Sequence, residues 1–119
     1  MRRVRVLGVW WGPPKGDFPV YGLASRIKQL RDAETVKFDD QEVVSIYLGE
    51  DDVSYGHAVF YISKNESAMI MLEETEDWEA IRHAAEERAG SKEDSTRILM
   101  GILRKIAERG CGCIDADEL

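Results

Sequence analysis

Four segments of this chain have the composition of β-strands, and each puts apolar side chains on both of its faces: Val4–Trp11, Val43–Gly49, His57–Ser63 and Ser67–Glu73. Successive side chains of a strand point to opposite faces. A sheet with one face in water shows polar residues on that face. Here alternation gives one mostly aliphatic set: Val44, Ile46, Leu48, Ala58, Phe60, Ile62, Ala68, Ile70 and Leu72. The opposite set is amphipathic: Val43, Ser45, Tyr47, Val59, Tyr61, Met69 and Met71. Strand one joins either set, through Val4, Val6 and Trp10 or through Leu7, Val9 and Trp11. Trp, Tyr and Met are the residue types that favour contact surfaces. The pattern therefore predicts that the second face meets something. Trp10, Trp11, Tyr47, Tyr61, Met69 and Met71 are its candidate binding residues.

Three other segments carry helical periodicity. Gly22–Ala33 places Leu23, Ile27 and Leu30 on one stripe. The next helix starts near Thr75, a suitable N-cap, with Glu76 and Asp77 placed for the positive end of the helix dipole. Its stripe is Trp78, Ile81, Ala85 and Ala89, and Gly90 stops it. Ser91 with Asp94 has the form of an acidic capping box. Beyond it, Ile98, Leu99, Ile102, Leu103 and Ile106 make the widest apolar helix face in the chain. Between these segments, Gly12-Pro13-Pro14 ends strand one because proline brings no N–H to a ladder, and the loop runs on through Val20. Thr35–Phe38 is β-prone, Asp39-Asp40-Gln41 reads as a turn, and Glu50–Gly56 reads as a polar loop.

The resulting order, β-α-(β)-β-β-β-α-α, predicts an α+β two-layer sandwich. It has a mainly antiparallel sheet of four or five strands with about three helices on one face. A ferredoxin-like arrangement, dimeric in one version, is the alternative and needs a last strand from the chain's final residues. Residues 1–110 read as a single domain and residues 111–119 as a short acidic tail containing both cysteines.

Charge narrows the function classes. Residues 1–38 carry a net +5 and residues 39–119 a net −12, which together give the −7 of the whole chain. Net acidity argues against general affinity for nucleic acid, which needs clustered cations. It permits a basic protein partner, whose encounter rate would rise through electrostatic steering; the alternative is that the acidity simply keeps the protein soluble. Glu50, Asp51 and Asp52 are the candidate acidic rim of that contact. No apolar run reaches the length of a membrane span. Arg5 breaks the apolar stretch after Arg2 and Arg3, leaving it too short for a signal sequence, so the expected compartment is the cytoplasm.

The chemistry-bearing residues form no catalytic pattern. In an extended chain Cys111, Cys113, Asp115 and Asp117 share one side, a set that suits a soft metal or thiol exchange. The C-x-x-C spacing of zinc and thioredoxin-like centres is absent. Glu73, Glu74, Glu76, Asp77 and Glu79 surround Trp78, but side chains at a helix start diverge and suit the dipole better than a metal. His57 and His83 are tied to no Ser or Cys nucleophile by a motif. The glycines make no phosphate-binding loop. The reading that follows is a non-enzymatic protein-interaction domain without a cofactor: an inhibitor, an immunity-type antitoxin or a regulatory subunit, acting on a protein partner or as a homodimer. The first alternative is a small-molecule binder or enzyme that uses the aromatic-lined sheet face, across a homodimer in one version. The second is a thiol redox or metal site at Cys111 and Cys113.

Two expectations concern stability. The tail, like most terminal segments, is expected to be dispensable for folding. Ile98, Ile102 and Ile106 are expected to face the sheet. Ile102→Ala should then lower stability by ~2–5 kcal/mol, read as a reduced denaturation midpoint.

Overall fold

The computed structural model describes residues 2–12 and 19–119. The elements are β1 (Arg3–Gly12), α1 (Pro19–Ile27), β2 (Glu34–Phe38), β3 (Gln41–Glu50), β4 (Val53–Ile62), β5 (Ser67–Leu72), α2 (Thr75–Arg88), α3 (Lys92–Arg109) and β6 (Gly112–Asp115). A 3-10 turn, Ala116–Glu118, follows β6. The predicted loop between Gly12 and Pro19 lies outside the described residues.

All six strands form one antiparallel sheet in the order β2-β3-β4-β5-β1-β6. The α+β class and the antiparallel sheet agree with the sequence, with one strand more than the upper expectation. Two hairpins turn on Asp-Asp pairs, with Asp39 and Asp51 both at φ 53°. Aspartate tolerates this left-handed region better than most side chains. The predicted Glu50–Gly56 loop is therefore a tight turn followed by the start of β4, and Thr35–Phe38 is the edge strand β2.

Register decides which residues share a face, and here the sequence phasing is corrected. Phe60 lies opposite Met69, and Tyr61 lies opposite Ala68. Met69 and Met71 thus join Val44, Ile46, Ala58 and Phe60, while Ala68, Ile70 and Leu72 join Val43, Val59 and Tyr61. Alternation fixes phase within a strand, but the turn between strands fixes phase across them. In β1 the partners step from Val6↔Leu72 to Gly8↔Met71, so Leu7 is an extra residue at a bulge. Val4 and Val6 before the bulge, and Val9 and Trp11 after it, consequently share one face.

Because both faces are apolar, both take helices. α2 and α3 cover one face, burying Trp78, Ile81, Leu99, Ile102, Leu103 and Ile106 against Val43, Val59, Tyr61, Ile70 and Leu72. α1 covers part of the other, with Val20, Ala24 and Ile27 against Val44, Ile46, Phe60 and Ile62. The three helices therefore do not share one face. The stripe of α1 is also shifted: Ile27 is buried as expected, but Leu23 and Leu30 are exposed. α3 starts as the sequence indicates, with Ser91 Oγ accepting from the Asp94 N–H (3.1 Å) and the Asp94 carboxylate accepting from the Gly90 N–H (3.2 Å). At α2 the cap is Glu74 rather than Thr75. The Asp77 carboxylate accepts from the Glu74 N–H at 2.9 Å and from the Arg5 N–H at 3.2 Å, which ties the helix start to β1.

The chain's last residues are not a free tail. β6 pairs with β1 over Arg3↔Asp115 to Val6↔Gly112, and Ile114 and Ala116 are buried in the α2/α3-side core. Arg88 donates to the carbonyls of Ala116 and Leu119, and the Arg2 guanidinium pairs with Glu87 and Asp117. This is the last strand that a ferredoxin-like fold would need, but β2–β5 run as a continuous meander rather than as split βαβ units. Ile114→Ala is expected to cost ~2–4 kcal/mol. Removing residues 112–119 should lower the urea midpoint further, since it also strips the partners of Arg2 and Arg88.

Candidate functional site

The registers define cross-strand rows on the α1 side of the sheet. The uppermost is Glu42–Ile62–Ser67–Gly12. α1 lies along it. At one end a Cβ on Gly12 would sit 3.2 Å from Val20 Cβ, so glycine there lets the helix approach β1 closely. At the other end Lys28 Nζ stands 2.8 Å from Glu42 Oε2 on β3. Four residues further down is the row Ile46–Ala58–Met71–Gly8. Ile46 and Ala58 in this row are buried in the same cluster as Val20, Ala24 and Ile27, while Met71 and Gly8 toward β1 are only partly buried. Among the described residues, the large exposed apolar side chains of this sheet face are therefore on β1.

Trp10, in the row of Val44, Phe60 and Met69, is 49% exposed. Its indole lies across Gly8, where a Cβ would come within 2.7 Å of the ring. Leu7 at the bulge is also half exposed, and Met71 and Leu48 are partly so. Below them Arg5 pairs with Glu73 at 3.3 Å, and the β3–β4 hairpin projects past the end of β5. Its turn carries Glu50, Asp51 and Asp52, followed by exposed Val53 and Tyr55.

The six candidate binding residues do not form one surface. Trp10, Met69 and Met71 are on the α1 side. Trp11, Tyr47 and Tyr61 are on the α2/α3 side. Tyr61 is only 5% exposed and donates from its hydroxyl to Gln41 Oε1 at 3.2 Å. It helps line a shallow cavity of about 220 Å³ with Phe38, Met100, Arg97 and Arg104. Tyr47 is exposed and lies over Gly49, and Trp11 is exposed at the upper end of β1. Sequence reasoning missed Leu7, Leu23 and Leu30 as surface residues. A bulge that one-strand alternation cannot show explains Leu7. An α1 stripe centred on Val20, Ala24 and Ile27 explains the other two.

On the opposite face a polar cluster sits under α2. His57, 7% exposed, stacks on Trp78 with ring centroids 6.0 Å apart, and the Arg82 guanidinium lies 5.6 Å from the Trp78 ring. His57 Nδ1 is 3.4 Å from Thr75 Oγ1, and Arg82 pairs with Glu34 on β2 at 3.3 Å. His57 Nε2, Trp78 Nε1 and Arg82 Nε are buried without a partner among the described residues. Burial pushes the His57 pKa below its ordinary 6.5, and the Arg82 cation lowers it further against smaller opposing effects of Glu34 and Glu79.

Cys111 and Cys113 are free and exposed on the β6 edge, with Arg5 Nη1 4.0 Å from Cys113 Sγ. Among the described residues no three His, Cys, Asp or Glu side chains converge as a metal site. The carboxylates around Trp78 diverge: Glu73 pairs with Arg5, and Asp77 caps α2. No protein-family model, curated protein or solved structure matches this chain.

The His57 pocket gives a pH dependence with a definite sign. A depressed native pKa means that the unfolded chain takes up the proton more readily. The advantage of the neutral ring is complete above pH 6.5 and is lost as the pH falls from there through the native value. Denaturation midpoints measured across that range should fall on the acid side. His57→Phe, which keeps a ring on Trp78 but cannot titrate, should flatten the fall.

Proposed function

We propose that this chain is a non-catalytic protein-interaction domain, of the inhibitor, immunity-type antitoxin or regulatory-subunit class. Its contact surface is the β1 side of the α1-side sheet face, around Trp10. The observation that carries the reading is the half-exposed Trp10 indole, spread over Gly8 on a paired strand rather than at a loop tip. A large aromatic on a rigid floor is the type of residue that dominates interface energy. Leu7, Met71 and Leu48 extend the apolar centre, and contiguous exposed apolar surface marks interaction sites. The hairpin tip Glu50–Asp52 supplies an acidic rim, which suits a basic partner and its encounter rate.

The test uses the immobilised chain to recover a partner, followed by identification, purification and rebinding. Trp10→Ser should weaken binding about tenfold or more, since a central aromatic anchor is worth upward of ~1.4 kcal/mol. Neutralising the rim as E50Q/D51N/D52N should mainly slow association, and added salt should do the same to the wild type. Unchanged binding by Trp10→Ser would refute the assignment of this face.

A further inference from the structure

We propose that Cys111 and Cys113 form a reversible thiol–disulfide pair that exchanges with low-molecular-weight disulfides. The inference goes beyond the contact reading above and does not rest on it. Cysteine is among the residue types most often buried, where it serves as a small apolar side chain. Neither cysteine here has that use. They are the chain's two cysteines, two residues apart, and both are free and exposed. They stand at β6, the end of the sheet order, with no further strand beside it among the described residues. A small disulfide therefore reaches both sulfurs from solvent. The pair does not make a metal centre, because no third ligand converges on it among the described residues and the group that meets Cys113 is a cation.

The spacing permits closure. Two residues of fully extended chain span at most about 7.2 Å, so the Cα atoms of Cys111 and Cys113 are never further apart than that. A disulfide joins Cα atoms ~4.4–6.8 Å apart, so a bend at the middle residue brings the pair into range. Gly112 is that residue. Its φ is 130°, a backbone state that a side chain would oppose, and nothing lies within 4 Å of its Cβ position. Gly110 has φ 83° and is equally open. The Cys-Gly-Cys segment thus turns on glycines with no side chain packed over them. Val6↔Gly112 is the end pair of the β1–β6 ladder, so a bend there leaves Ile114 in its place in the core.

The two sulfurs differ in setting. Cys113 lies inside the ladder opposite Arg5, and Arg5 Nη1 is 4.0 Å from its Sγ. Cys111 precedes the strand. Cys113 is therefore the fixed thiol, with a guanidinium beside the sulfur that is anionic while it attacks, and Cys111 is the one that moves. Cys113 gives its proton to solvent and attacks one sulfur of a disulfide RSSR. The RS–SR bond breaks, a Cys113–SR bond forms, and RS⁻ leaves and takes up a proton. Cys111, deprotonated in turn, attacks Cys113 Sγ. The Cys111–Cys113 bond forms and the second RS⁻ leaves. The chain is oxidised by two electrons, and RSSR is reduced to two RSH. Excess RSH reverses both steps.

The test treats the reduced full chain with oxidised glutathione and reads intact mass, free thiol and non-reducing electrophoresis, with circular dichroism confirming that each variant is folded. The wild type should lose two hydrogens and both thiols without forming a linked dimer. Across ratios of oxidised to reduced glutathione the two thiols should disappear in one transition. Cys111→Ser should instead stop as a glutathione adduct, mapped to Cys113, that the wild type does not accumulate. Cys113→Ser should form its adduct at Cys111 about tenfold more slowly. Adding Arg5→Gln should slow the reaction of Cys113 in the Cys111→Ser chain and leave that of Cys111 in the Cys113→Ser chain unchanged. A wild type that halts as an adduct, forms only links between chains, or stays reduced at oxidising ratios would overturn the inference. Equal rates at the two sulfurs would overturn their assigned order.

Discussion

A sheet whose two faces are both apolar has to be covered twice, and the rest of this structure follows from that requirement. One face is closed by α2 and α3, which contribute Trp78, Ile81, Leu99, Ile102, Leu103 and Ile106 to a continuous core. The other is covered, among the described residues, by the shorter α1, whose Val20, Ala24 and Ile27 pack in one cluster with Val44, Ile46, Ala58 and Phe60. The α2/α3 side holds the larger core, and the α1 side keeps Trp10 half exposed on β1.

Much of this plan was legible in the residues. The strand segments, the wide face of α3, the Ser91–Asp94 cap and the apolar character of both sheet faces all come from local periodicity, which is set by the chain's own geometry. Ile102 and Ile106 are buried as their spacing indicates. What was not legible depends on relations between segments. The Leu7 bulge flips the phase of β1, and the Ser63–Glu66 turn sets β5 against β4 so that Met69 faces Phe60's side. Neither leaves a mark in alternation along one strand. The sixth strand was missed for a related reason: Gly112–Asp115 is four residues long and polar at two of them, so its partner, not its composition, makes it a strand.

The candidate site divides the same way. Trp10 was singled out from residue type, and it is half exposed on the α1 side. Tyr61 was singled out on the same ground, yet it lies in the α2/α3-side core with its hydroxyl on Gln41. His57 gave no sequence signal beyond its position at a strand start. The structure places it against Trp78 and Arg82, where its neutral form is favoured. Buried polar groups of this kind tie the docking of α2 to the protonation of one ring.

The position of β1 has a consequence for how the fold is reached. β2 through β5 form a meander whose neighbours are joined by short turns, so each pairing closes a small loop. β1 instead sits between β5 and β6, and its lower end reaches a segment more than a hundred residues later, where Arg2 N–H meets Asp115 at |i−j| = 113. The lower end of β1 therefore lacks one neighbour until β6 is made, and the whole of β1 is unpaired until β5 is. During that interval the hydrophobic run Val4–Trp11 has neither of its sheet neighbours, and a pairing-competent apolar strand held open in this way is the segment most exposed to aggregation. Arg2, Arg3 and Arg5 stand at its start, and charges beside a strand discourage wrong pairing while it waits.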